Sequence, residues 1–155
     1  MNPNPKIDRR RRQLLAAGAG FGLCITLRPA LAAPDSLADA INTFAGGAPV
    51  AIGRVVLDVA TLVDNGNTVP ISVTVDSPMT AASFVTAIAV FNERNPQRDV
   101  ARFMLGQRSG RAHVSARIRL ATSQKLTAVA RMNDGSFWSH TVEVIVTLAS
   151  CIDGE

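Results

Sequence analysis

Tyrosine is absent from the 155 residues, tryptophan occurs once, and aromatic side chains make up 5% of the chain. The tyrosine and disulfide marks of antibody domains are therefore missing. Two cysteines cannot build a disulfide framework. The two histidines, His113 and His140, each lack a second histidine or cysteine at ligand spacing, so a metal site has little support and a strand histidine that is exposed or hydrogen-bonded is expected at each. No phosphate loop, serine-hydrolase elbow or dinucleotide fingerprint occurs. What is present is 47% hydrophobic and 18% charged residues, the composition of one globular domain rather than of a disordered chain.

The net charge of +4 is unevenly placed. Residues 1–32 hold six basic side chains (Lys6, Arg9, Arg10, Arg11, Arg12 and Arg28) against the single acid Asp8, and the remainder has ten basic and eleven acidic side chains. Four consecutive arginines precede the apolar, glycine-rich run Leu14–Leu27, which is too short for a membrane span and ends at Ala30-Leu31-Ala32. Charged, then apolar, then small is the order of a secretory signal. Cleavage is expected after Ala32, because Pro34 disfavours a cut after Ala33. Within the signal, Arg11-Arg12-Gln13-Leu14-Leu15 resembles the twin-arginine export motif, although Arg10 stands where a serine or threonine is usual. Either export route leads to the bacterial periplasm, with no membrane attachment once the signal is gone. Cys24 leaves with the signal, and the mature chain keeps one cysteine, Cys151.

The predicted domain is all-β: an immunoglobulin-like antiparallel β-sandwich preceded by one short N-terminal helix. Ser36 can cap that helix with Asp39 three residues on, and Leu37, Ala40, Ile41 and Phe44 share a face before Gly46-Gly47 ends it. Beyond it the period changes to two. Strands are expected near Val55–Val59, Val69–Val75, Phe84–Phe91, Val100–Leu105, Val114–Leu120, Leu126–Met132 and Phe137–Leu148, with turn chemistry at Asn65-Gly66-Asn67 and Asn133-Asp134-Gly135-Ser136. The resulting organisation is a signal over 1–32, a domain over 33–148 and a tail over 149–155.

Seven arginines (94, 98, 102, 108, 111, 117 and 119) give the middle of the chain a basic character with Phe103 interleaved. On an exported protein they are expected to form a solvated face or a partner-docking patch rather than a nucleic-acid site. Cys151 is the one side chain with reactive potential. It follows the last strand on a short tail, about 10 Å beyond Leu148 if extended at 3.3 Å per residue. A cysteine–histidine catalytic pair stays open on sequence grounds, since such partners need only be close in space.

Four segments carry a resemblance: Asp64-Asn65-Gly66-Asn67-Thr68-Val69-Pro70, Asp76-Ser77-Pro78-Met79-Thr80-Ala81, Val90-Phe91-Asn92-Glu93-Arg94-Asn95-Pro96, and Asp134-Gly135-Ser136-Phe137-Trp138. With Cys151 they resemble the SoxY family, the sulfur-carrier subunits of the bacterial thiosulfate-oxidising system, over residues 54–151. The resemblance implies an exported immunoglobulin-like sandwich that forms a heterodimer with a second sandwich subunit, SoxZ, and is visited by Sox enzymes. It implies no resident cofactor. Sulfur intermediates would be covalent cargo on Cys151: thiosulfate is oxidatively joined to the cysteine sulfur, a hydrolase releases the terminal sulfone as sulfate, and the carrier is regenerated after further oxidation and hydrolysis. The family's tail is typically Gly-Gly-Cys-Gly-Gly, whereas here Ala149-Ser150 and Ile152-Asp153 flank Cys151. That departure motivates a second expectation, a non-catalytic assembly or binding subunit of a Sox-like complex. A thiol redox protein joined through Cys151 is a third.

Overall fold

Ser36 starts the only α-helix among the residues described by this computed structural model, 36–147; a single 3-10 turn at Gln107–Ser109 is the other helical element among them. Its hydroxyl oxygen accepts from the Asp39 N–H at 3.1 Å and the same hydroxyl donates to the Asp39 carboxylate at 2.7 Å, satisfying one of the free donors at the helix start. Helix α1 runs Leu37–Ala45 and ends at Gly46, which adopts φ +62°. There the Gly47 N–H reaches back to the Asn42 carbonyl, so glycine at 46 closes the helix in a conformation that other residues adopt at a cost.

Nine strands follow: β1 Val50–Ile52, β2 Val55–Val59, β3 Leu62–Val63, β4 Val69–Val75, β5 Val85–Asn92, β6 Asp99–Met104, β7 His113–Ile118, β8 Gln124–Met132 and β9 Phe137–Val146. The larger sheet has the order β1-β9-β8-β5-β6 with β3 also on β9, and the smaller is β2-β4-β7. Between them lies the main core, where Val55, Leu57, Ile71 and Val73 of the small sheet meet Ile88, Val90, Leu126 and Ala128 of the large one. The seven expected strands are all present with small shifts at their ends. Two further strands, β1 and β3, were not expected. Both pair parallel with β9, whereas every other pairing is antiparallel. At three and two residues they are too short to show a period of two.

A second cluster lies on the outer face of the large sheet. Ala40, Ala45, Leu37, Ile41 and Phe44 of the helix cover Ala89, Phe91, Val129 and Phe137. Phe44 meets Phe91 and Phe137 edge-on, with ring centroids 5.7 and 5.8 Å apart, the geometry that aromatic quadrupoles favour. Strand β5 is thus buried on both faces, which explains its unbroken apolar run from Ala87 to Phe91, while β4 alternates cleanly because its outer face is open.

Candidate functional site at the root of the C-terminal tail

Strand β9 delivers the chain to the tail, and its last residues are held from three directions. The Ile145 N–H donates to the Thr61 carbonyl at 2.8 Å and the Thr147 N–H to the Val63 carbonyl at 2.9 Å. Ser123 bridges from the other side, its Oγ accepting from the Val146 N–H at 2.9 Å and donating to the Val146 carbonyl at 3.3 Å. The Thr147 hydroxyl donates to the Asp64 carboxylate at 3.0 Å. Val144 beneath them is fully buried. A cavity of about 420 Å³ opens beside this root, lined by Asp64, Asn67, Arg119, Leu120, Val146 and Thr147.

The loops around the root are tied to one another. Gly66 packs so closely on the 119–121 segment that a Cβ there would collide with the Leu120 carbonyl oxygen, and the Leu120 N–H donates to the Gly66 carbonyl at 2.7 Å. The Asn95 amide joins the same segment: its Oδ1 accepts from Ala121 N–H and Gln124 Nε2, and its Nδ2 donates to the Arg119 carbonyl at 2.7 Å. Buried Asn92 in turn accepts from the Asn95 N–H. Two of the four resembling segments, 64–70 and 90–96, therefore build the end of the sandwich from which the tail leaves.

The other two lie at the opposite end. Asp134 accepts from the Ser136 N–H at 2.8 Å and from its hydroxyl at 2.6 Å, and these bonds hold the Asp134 carboxyl below its ordinary range, with the nearby Arg54 charge assisting. Trp138 donates from Nε1 to Ser136 Oγ, and Arg54 stacks over its ring at 4.8 Å. Met79 takes a positive φ of 52° while its sulfur accepts from the Val85 N–H. These side chains fix turns; none is arranged as a reactive group.

Of the sequence-predicted site residues, Cys151, Arg11 and Arg12 lie outside the described residues. Covalent geometry alone bounds the reach of the cysteine: four residues past Thr147, its Cα is at most about 14 Å from that anchor. The histidines are held apart in different sheets. His113 is exposed and bonded to Thr74, and His140 Nδ1 accepts from the Leu57 N–H at 3.0 Å across the sandwich. Among the described residues no three His, Cys, Asp or Glu side chains gather to hold a metal ion. The seven arginines do not form one face. Arg98 donates to the Glu93 and Asn95 carbonyls, Arg102 pairs with Asp99 at 2.6 Å and stacks on Phe44, and Arg117 stands on the outer face of the small sheet. Sequence reasoning singled out Asp64 only as part of a segment and missed its partner Thr147, whose one signal is a polar residue at the end of a valine-rich strand.

The described domain is a helix-covered β-sandwich whose last strand is anchored at its end and feeds a short cysteine-bearing tail. The family model for the sulfur oxidation protein SoxY matches residues 41–151, and the chain belongs to the SoxY family. The solved sulfur carrier protein SoxY from Chlorobium limicola f. thiosulfatophilum is similar at 28% identity and a TM-score of 0.61, over 72% of this chain and 91% of that one. A superoxide reductase (neelaredoxin) from Ignicoccus hospitalis aligns at 17% identity and a TM-score of 0.56, over 61% of this chain and 81% of that one. A putative superoxide reductase from Thermotoga maritima aligns at 20% and 0.53, over 64% and 88%. These last two share the fold alone. A comparison with curated protein sequences gave no match.

Proposed function

We propose that the protein is a covalent sulfur carrier in sulfur oxidation, holding intermediates on Cys151 for partner enzymes and catalysing nothing itself. The observation that carries this reading is that the family match runs through the last strand and ends on Cys151. A carrier needs a nucleophilic sulfur at the end of an arm and a fixed base for that arm, and the bonds around Thr147 supply the base. A thiolate is the group for the task because sulfur–sulfur bonds form and break without consuming the carrier. Loading with thiosulfate joins the cysteine sulfur to the sulfane sulfur, releases the thiol proton, and passes two electrons to an oxidising partner enzyme.

Residues 1–32 act as the export signal, with Arg11 and Arg12 as its recognition pair, and the mature chain works in the periplasm beside a SoxZ-like sandwich subunit. The tail differs from the family's glycine-flanked form: Ile152 is bulky and β-branched, and Asp153 and Glu155 place negative charge near the sulfur, which disfavours the thiolate until a cationic pocket covers them.

The test is replacement of the chromosomal gene by Cys151→Ser and by a chain lacking residues 149–155. The proposal expects both strains to lose thiosulfate oxidation while the protein accumulates, folded and bound to its partner subunit. Thiosulfate oxidation that persists in both strains would favour the assembly-subunit reading, which the altered tail motivates.

A further inference from the structure

Leu62 and Ile145 break the pattern of the face on which they stand. On the outward side of β9, Phe137 is covered by the helix, and the positions between it and Ile145, namely Ser139, Thr141 and Glu143, are polar. Ile145 is nevertheless 53% exposed, and Leu62, its partner in the parallel β3–β9 pairing, is 60% exposed. Neighbouring strands lie about 4.8 Å apart, so the two side chains stand side by side. Single exposed aliphatics need no explanation. A registered pair at the last rung of the strand that leads to the tail is a contiguous apolar patch at a chosen place. Val146, pointing to the opposite face, lines the groove that holds Asp64 and Arg119, so the two sides of the root differ in character.

Chain length then says what covers the patch. Cys151 is at most about 14 Å from Thr147, and every tail residue inserted into an enzyme shortens the span left outside it. An enzyme that encloses the Cys151 sulfur must therefore bring the wall around its active-site entrance against the body at Thr147. Ile145 lies two residues before that anchor. We propose that Leu62 and Ile145 form the seat for an apolar rim around the active-site entrance of enzymes acting on Cys151, an inference that rests on the carrier reading above. Such a seat lets an enzyme recognise the carrier body as well as its cysteine, and it sets the direction from which the tail enters.

The experiment uses the mature chain with its partner subunit and the double variant Leu62→Ser, Ile145→Thr. Cys151 is loaded without enzyme by tetrathionate: the thiolate attacks an inner sulfur, forms Cys–S–S–SO3−, and displaces thiosulfate. A hydrolase that converts this adduct and water to the persulfide, sulfate and protons is then assayed. The double variant is expected to raise KM for the loaded carrier by about tenfold, the loss expected from truncating aliphatic anchors at an interface. Its kcat, its tetrathionate loading rate and its partner binding should match the parent. Met104→Ser, a change at a 78% exposed aliphatic on β6, should alter none of these. An unchanged KM would overturn the proposal. So would loss of the partner subunit from the double variant, which would make the patch a subunit interface. A parent chain that loads but is never turned over would overturn the carrier reading and this proposal with it.

Discussion

The two ends of strand β9 are held in different ways. At its start Phe137 is buried under the helix against Phe44, and Trp138 is flanked by Arg54, Ser136 and the Asp134 turn. At its end the grip is made by backbone hydrogen bonds to Thr61 and Val63 and by the small side chains of Ser123, Thr147 and Asp64, with Ile145 left outward. The first end invests its large side chains in the fold. The second fixes the backbone and leaves the Ile145 side chain exposed. The two kinds of grip are thus separable along one strand.

Four substitutions sharpen that separation, in order of expected effect. Phe137→Ala removes a buried ring shared by helix and sheet and is expected to destabilise the domain by about 3–5 kcal/mol in urea unfolding, while the folded fraction still loads at Cys151. Gly66→Ala forces the 64–67 turn away from Leu120 and should cost about 1–3 kcal/mol, with amide exchange quickening first in residues 119–123 and 145–147. Thr147→Val removes the donor to Asp64 at an exposed site; the expected loss is about 0.5–1 kcal/mol, measured by the same unfolding curve, with faster amide exchange at Thr147's neighbours. Arg54→Ala removes the cation over Trp138 and should cost about 0.5–1 kcal/mol without slowing enzymatic turnover of the loaded carrier.

Asp134 gives the smallest effect and a sign that can be checked. Its folded pKa is lowered by the Ser136 hydroxyl and N–H, so its contribution is fully present above its unfolded value near pH 4 and is lost as pH falls through the lowered folded value. Asp134→Asn should lower stability slightly at neutral pH, with the variant and parent curves converging as pH falls through the lowered folded value, so that the variant's acid limb is the flatter.

The fold was largely legible because its strands obey simple rules. The alternation of Val69, Ile71, Val73 and Val75 marks a half-buried strand, and Ser36 and Gly46 bracket the helix with cap chemistry. The short parallel strands β1 and β3 escaped notice, since two or three residues carry no period. The packing of α1 on the outer face was hidden too, although the continuous apolar run of β5 is its trace. At the site, Cys151 stood out as the one cysteine beyond the expected export signal, and the role proposed for it came from resemblance. The root was not legible: Thr147 and Asp64 are 83 residues apart in sequence, and only the parallel β3–β9 pairing brings them together. The resembling segments, in turn, prove to be turn and loop braces at the two ends of the sandwich.

The most direct test of the carrier account is the intact mass of the protein purified from the periplasm of cells given thiosulfate, taken before and after a thiol reductant, with any adduct mapped by peptide analysis. The account predicts added sulfane or thiosulfonate mass on Cys151 that the reductant removes. A clean, unmodified thiol at Cys151 in those cells would contradict it.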